Sequence, residues 1–252
     1  MRPTTGLLAA AFVVAGALAA AAQPPGAVLS PLETSVACAP PPTLDGAPGG
    51  ALHIIGTQDS VPRTVFGARD LIVIDGGEKA GVHLGQQFFV RRANHYGMMY
   101  GASGGRGAHT LGWLHVVAVN ESTAIAQIDH LCDAMIAMDY LEPFAAPVVP
   151  AGLDAVDATG EPDFGALGRI ISGDFERSSL GTGDFALIDR GSEQGVEPGQ
   201  HFAVYRDLRM GGMPLTSIGE ATVVSTTAGV ALARITRVRD AVRSGDYVAP
   251  RR

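Results

Sequence analysis

Two stretches of the chain alternate in the same way. Along Thr123–Ile128 and Val230–Ile235, Ala124, Ala126 and Ile128 recur as Ala231, Ala233 and Ile235. The residues between them drift: Thr123 to Val230, Ile125 to Leu232, Gln127 to Arg234. A shared period of two marks a strand with one buried face. Phe88 and Val90 likewise recur as Phe202 and Val204, while Phe89 and Arg91 give way to Ala203 and Tyr205. In the first half this patterning predicts strands near 52–56, 70–75, 86–92, 112–119, 123–129 and 139–142. The second half predicts them near 168–172, 184–189, 200–206, 219–226, 230–237 and 246–249. Short strands with turn signals every ~8–12 residues point to a small barrel or sandwich.

These segments belong to an internal duplication. Residues Ile74–Arg92 lie over Ile188–Arg206 at an offset of 114, with 10 of 19 positions identical. Residues Gly112–Pro143 lie over Gly219–Pro250 at an offset of 107, with 11 of 32 identical. The change in offset places seven extra residues in the first copy between Ala93 and Leu111, in a Gly-rich loop spanning 93–111. The expected fold class is therefore all-β, with two tandem six-stranded barrel-like domains at 51–144 and 167–252. A Pro/Gly-rich lead (23–50) and an acidic, Pro-rich linker (145–166) complete the mature chain.

The best-matched segment is a turn motif. Gly77, Gly81, Val82 and Gly85 recur as Gly191, Gly195, Val196 and Gly199. The spaced glycines suit positions that need positive φ. Val82 and Val196 are expected to plug the barrels from the connection, with Pro198-Gly199 starting the next strand. Asp133 and Asp240 suit a side-chain cap on a short turn ahead of Asp139-Tyr140 and Asp246-Tyr247.

Composition agrees with this plan. Gly (33) and Pro (16) occupy 49 of 252 positions, about one in five. Such density is hostile to long helices, because each costs about 1 or 3 kcal/mol in a helix interior. A hydrophobic share of 46% is enough to bury a core and excludes a disordered chain. The formal charge of -7 argues against a binder of nucleic acid through phosphate contacts.

Part of the hydrophobicity comes from the start. Arg2, an apolar run from Leu7 to Ala22 and the small residues Ala20-Ala21-Ala22 match a secretory signal peptide over 1–22. About 16 mostly Ala residues fall short of the ~20 that a spanning helix needs. An exported chain with two cysteines, Cys38 and Cys132, points to a disulfide closing a loop of 94 residues, against the alternative of two buried thiols. Lipidation at Cys38 is disfavoured because Pro24, Pro25, Pro31 and Glu33 separate it from the apolar run.

The run Ile188–Phe202, together with Gly245-Asp246-Tyr247-Val248, resembles the C-terminal β-domain of flagellar assembly protein T and related domains of exported LysM-type envelope proteins. A similar glycine-valine-glycine turn occurs in the β-domains of rod-shape-determining scaffold proteins. The resemblance covers about 70 residues of the second copy, with the first copy following more loosely. Gly76-Gly77-Glu78 stands for Arg190-Gly191-Ser192 there, and Met138 for Gly245. The resemblance implies an interaction module of the bacterial cell envelope or periplasm, and it brings no catalytic residues with it.

Candidate chemistry adds little. Asp75 and Asp189 are equivalent, as in a two-carboxylate protease, but Gly76-Gly77 and Arg190-Gly191 follow them without the Thr or Ser such a site needs. Six of seven histidines (His53, His83, His95, His109, His115, His130) fall in the first half, and His201 in the second. None makes a compact ligand spacing, even beside Met98 and Met99. Ser103–Gly107 lacks the Lys-Ser/Thr of a phosphate loop. Arg234, Arg237, Arg239, Arg243, Arg251 and Arg252 suit either a solvated face or contact with an anionic polymer. No catalytic residue, metal or cofactor is expected. The expected function is protein interaction or scaffolding in the envelope, with peptidoglycan binding as the alternative and a hydrolase less favoured.

Overall fold

The computed structural model describes residues 28–95, 106–154, 159–173, 177–209 and 211–252. The expected signal peptide, Met98, Met99 and Ser103–Gly105 lie outside these residues. The first copy contributes β1 (Leu52–Thr57), β2 (Val65–Phe66), β3 (Leu71–Ile74), β4 (Gln87–His95), β5 (Arg106–Val119), β6 (Ala124–Leu131), β7 (Met135–Ile136) and β8 (Tyr140–Pro143). The second contributes β9 (Gly168–Gly173), β10 (Phe185–Ile188), β11 (His201–Arg206), β12 (Thr216–Thr226), β13 (Ala231–Val238) and β14 (Tyr247–Pro250). Each copy closes into a six-stranded antiparallel barrel, ordered β1-β3-β6-β5-β4-β8 and β9-β10-β13-β12-β11-β14. Closure leaves no unpaired sheet edge.

The period of two becomes an inside and an outside. Ile54, Ile72, Ile74, Val90, Leu114, Val116, Ala126 and Ile128 fill the first barrel. Ile170, Ala186, Ile188, Phe202, Val204, Val223, Ala233 and Ile235 fill the second. Small alanines beside branched residues suit interiors this narrow.

Three features depart from the expectation. Of the 93–111 segment, the described residues 93–95 and 106–111 are strand: Ala93, Asn94 and His95 pair with Ala108, Gly107 and Arg106 and lengthen the β4–β5 hairpin. The two-residue strands β2 and β7 pair with each other and carry Phe66 and Met135 into the first core. In the second copy this pairing shrinks to one bridge between Leu180 and Val242.

The third departure is a helix inside the lead, α1 (Pro31–Cys38). Ser30 and Glu33 form a reciprocal capping box and Pro31 occupies the first turn, which together nucleate a helix from only eight residues. The helix lies between the barrels. Ala37 and Cys38 pack with Phe89, Trp113 and Phe144 on the first barrel. Leu32, Val36 and Ala39 pack with Phe185, Leu187, Val224 and Leu232 on the second. Thr110 Oγ1 donates to the Ala39 carbonyl at 2.8 Å, and Thr227 Oγ1 to the Pro42 carbonyl at 2.7 Å, so both barrels also hold the lead by its backbone. The linker is anchored too: Leu153 is buried and Val149 partly buried in the same cluster on the second barrel.

Candidate interaction surface

The turn motif builds the barrels' ends. Gly81 and Gly195 have φ of 77° and 76°, and Gly85 and Gly199 have 78° and 86°, all left-handed. Gly77 and Gly191 are extended, and their need for glycine is steric. A Cβ would stand 2.2 Å from the Asn120 carbonyl oxygen or 2.3 Å from that of Thr227, so the turn sits directly on the neighbouring hairpin. Val82 and Val196 are buried in the two cores. Gly199 precedes β11, whose first residue is His201. Gly195→Ala meets nothing within 4 Å, which isolates the backbone term. It should therefore lower the unfolding free energy by about 1–2 kcal/mol in urea titrations.

The principal polar anchor of each barrel is an Arg–Asp pair. Arg92 Nε and Nη2 donate to the two carboxylate oxygens of Asp139, each at 2.8 Å. Arg206 does the same to Asp246 at 2.9 and 2.8 Å. The carboxylates also accept the backbone N–H groups of Ile136 and Arg243, and the guanidinium groups bond to the carbonyls of Ala134 and Ala241. The carboxylate hydrogen bonds raise the pKa of both arginines. Asp133 and Asp240 cap the next residue's N–H at 2.7 and 2.8 Å, and Asp240 also accepts from Arg206 Nη1 at 2.7 Å, beside the bidentate anchor on Asp246.

Cys38 and Cys132 form a disulfide that fixes α1 to the first barrel. Phe89 stacks obliquely on Phe144 at 4.6 Å, and Trp113 lies parallel to His130 at 4.4 Å beside the bridge. Arg91 is buried here against Glu142 at 2.6 Å and over the Phe89 ring, and burial lowers its pKa. Burial likewise pushes the neighbouring Tyr140 phenol up to about 12. The duplication places Ala203, Glu220 and Arg251 where Phe89, Trp113 and Phe144 stand. Arg251 binds Glu220 through two nitrogens at that position, so the aromatic and disulfide surface belongs to the first barrel alone.

The opposite asymmetry defines the candidate site. In the second barrel the outward residues Ile171, Phe185, Leu187, Val224 and Leu232 are covered by α1 and the linker. Their counterparts in the first barrel are Ile55, Leu71, Val73, Val117 and Ile125. Val73 pairs with Ile125 as Leu187 pairs with Leu232, so the same apolar stripe crosses both barrels. In the first barrel Ile55 is 48% and Leu71 39% exposed, against 3% for Phe185 and 0% for Leu187. Val73, Val117 and Ile125 are partly buried, and among the described residues none of the five joins a hydrophobic cluster. Exposed Val65 and Ile136, cross-strand partners on β2 and β7, add further apolar surface to this barrel.

The remaining candidates are held in local structure. Asp75 and Asp189 accept the N–H groups of His53 and Arg169 at 2.6 Å, each pinning two strands of its own barrel. His115 pairs with Asp129 at 2.7 Å and His201 with Thr222 at 3.0 Å. Arg234, Arg251 and Arg252 are paired with Asp154, Glu220 and Asp163, which offsets the charge of half of the basic set locally. Among the described residues, no helix is long and apolar enough to cross a membrane. The chain is thus a tandem pair of closed six-stranded β-barrels, with a disulfide tying the lead helix to the first of them. Comparison with protein-family models and with curated proteins gives no match.

Proposed function

We propose that the chain is a non-catalytic, exported cell-envelope protein that acts as a protein-interaction or scaffolding module. The observation that carries this reading is the apolar stripe of Ile55, Leu71, Val73, Val117 and Ile125. The second barrel covers the same stripe with a short helix presenting Leu32 and Val36 one turn apart. The occupant proposed for the first barrel is an apolar segment of a partner protein with the same i, i+4 spacing. The disulfide is in keeping with an oxidising compartment such as the periplasm. The resemblance of the turn motif to the flagellar assembly protein T domain supports the same class.

A photocrosslinking residue placed in cells at position 55 or 71 tests this, with position 213, exposed in the second barrel, as the control. The expected result is one discrete adduct from 55 and 71, none from 213, and its loss on adding Val73→Asp. An adduct of two copies of the chain would identify self-assembly through this stripe and overturn the partner reading. Retention on purified peptidoglycan at physiological salt, unaffected by Val73→Asp, would overturn it in favour of polymer binding.

A further inference from the structure

Beside the aromatic cluster, Cys38 Sγ, Cys132 Sγ and a ring nitrogen of His130 all lie within 4.8 Å of one another, half-buried. Cys38 comes from the end of α1, His130 from β6, and Cys132 follows that strand. Sequence spacing conceals the set, because Cys38 is 94 residues from Cys132. At the equivalent positions of the second copy stand Arg237 and Arg239, so the barrel fold itself has no need of His130 or Cys132 there. The Trp113 ring lies 4.4 Å from His130 at an angle of 16°, which fixes the plane of the imidazole.

We infer that reduction of the Cys38–Cys132 bridge opens a three-donor site for a soft d10 metal ion, with Cu(I) bound by Cys38, Cys132 and His130. Two thiolates are soft donors and imidazole is also a copper ligand, and a set of three suits the low coordination number of Cu(I) better than the four that zinc prefers. The oxidised bridge occupies both sulfurs, so the site exists in one redox state only. A dithiol reductant gives two electrons to the Sγ–Sγ bond, which breaks to two thiols as the dithiol closes to its own disulfide. Cu(I) then displaces both thiol protons to water, forms two S–Cu bonds and accepts the His130 lone pair, without changing its oxidation state.

The test uses the intact protein, reduced with dithiothreitol, desalted without oxygen and titrated with Cu(I) against a chromophoric Cu(I) chelator. Trp113, the chain's single tryptophan, reports the site by fluorescence. The reduced protein is expected to take up one equivalent with quenching of Trp113, and the oxidised protein none. His130→Ala should weaken binding by at least the roughly 10- to 100-fold typical of losing an outer-shell partner. Equal uptake by the oxidised protein or by the Cys38→Ser/Cys132→Ser variant would overturn the assignment, as would unchanged affinity in His130→Ala. Far-UV circular dichroism covers loss of structure on reduction. In that case Cu(I) must restore the oxidised spectrum, and failure to do so counts equally against the site.

Discussion

Replacing Cys38 and Cys132 together with serine is expected to lower the unfolding free energy by about 4–5 kcal/mol, the loop-entropy value for a bridge spanning 94 residues. The bridge is the covalent tie between α1 and the first barrel, and α1 in turn covers Phe185, Leu187 and Leu232 of the second. Losing it loosens both contacts together. The measurement is a urea titration of oxidised, reduced and double-variant protein, followed by Trp113 emission for the helix contact and by far-UV circular dichroism for the barrels. The oxidised midpoint should stand well above the other two, and the Trp113 transition should come first in the variant. Coincident midpoints for all three would mean that packing alone holds α1.

The second large effect belongs to the Arg–Asp pairs. Asp246→Ala leaves the Arg206 guanidinium, 15% exposed, without its bidentate partner and with only the exposed Asp240 carboxylate, and it frees the N–H of Arg243. Breaking a buried pair from one side costs about 3–5 kcal/mol, because the remaining charge keeps its desolvation penalty. Asp139→Ala should act in the same direction on the first barrel through Arg92, and less strongly because Arg92 is 32% exposed. Replacing both members, as in Arg206→Met/Asp246→Ala, should recover part of the loss, since no uncompensated charge then stays buried. Thermal unfolding of the single and double variants reads this directly, and a double variant no better than Asp246→Ala would place the loss in the backbone caps instead.

How far these features were visible in the sequence differs from one to the next. The strands and closed barrels were visible because the duplication repeats them, and alternation between Ala124, Ala126 and Ile128 has a simple spatial meaning. Arg92 and Asp139 are kept in the second copy as Arg206 and Asp246, so their importance could be read, but strand register is what brings them together. Helix α1 had a signal in Ser30-Pro31-x-Glu33, masked by the surrounding prolines and glycines. The strands β2 and β7 have two residues each, too few for any periodicity. The apolar stripe was out of reach, because an outward Val or Ile on a strand carries no mark of whether another segment covers it. Comparing the two barrels in three dimensions exposes the difference.

The position of α1 also imposes an order of events. Thr227 donates to the Pro42 carbonyl across 185 residues of chain, and Leu32 and Val36 complete a surface that the second barrel supplies with residues from Ile171 to Leu232. Chains are made and commonly fold from the N-terminus onward. The earliest residues of this domain pair therefore find their full set of neighbours only after almost the last strand has formed. Until then Leu32, Val36 and Ala39 stand open beside a finished first barrel, a delay of the kind that long-range contacts bring to folding. The lead helix is thus the part of this domain pair whose packing is completed last.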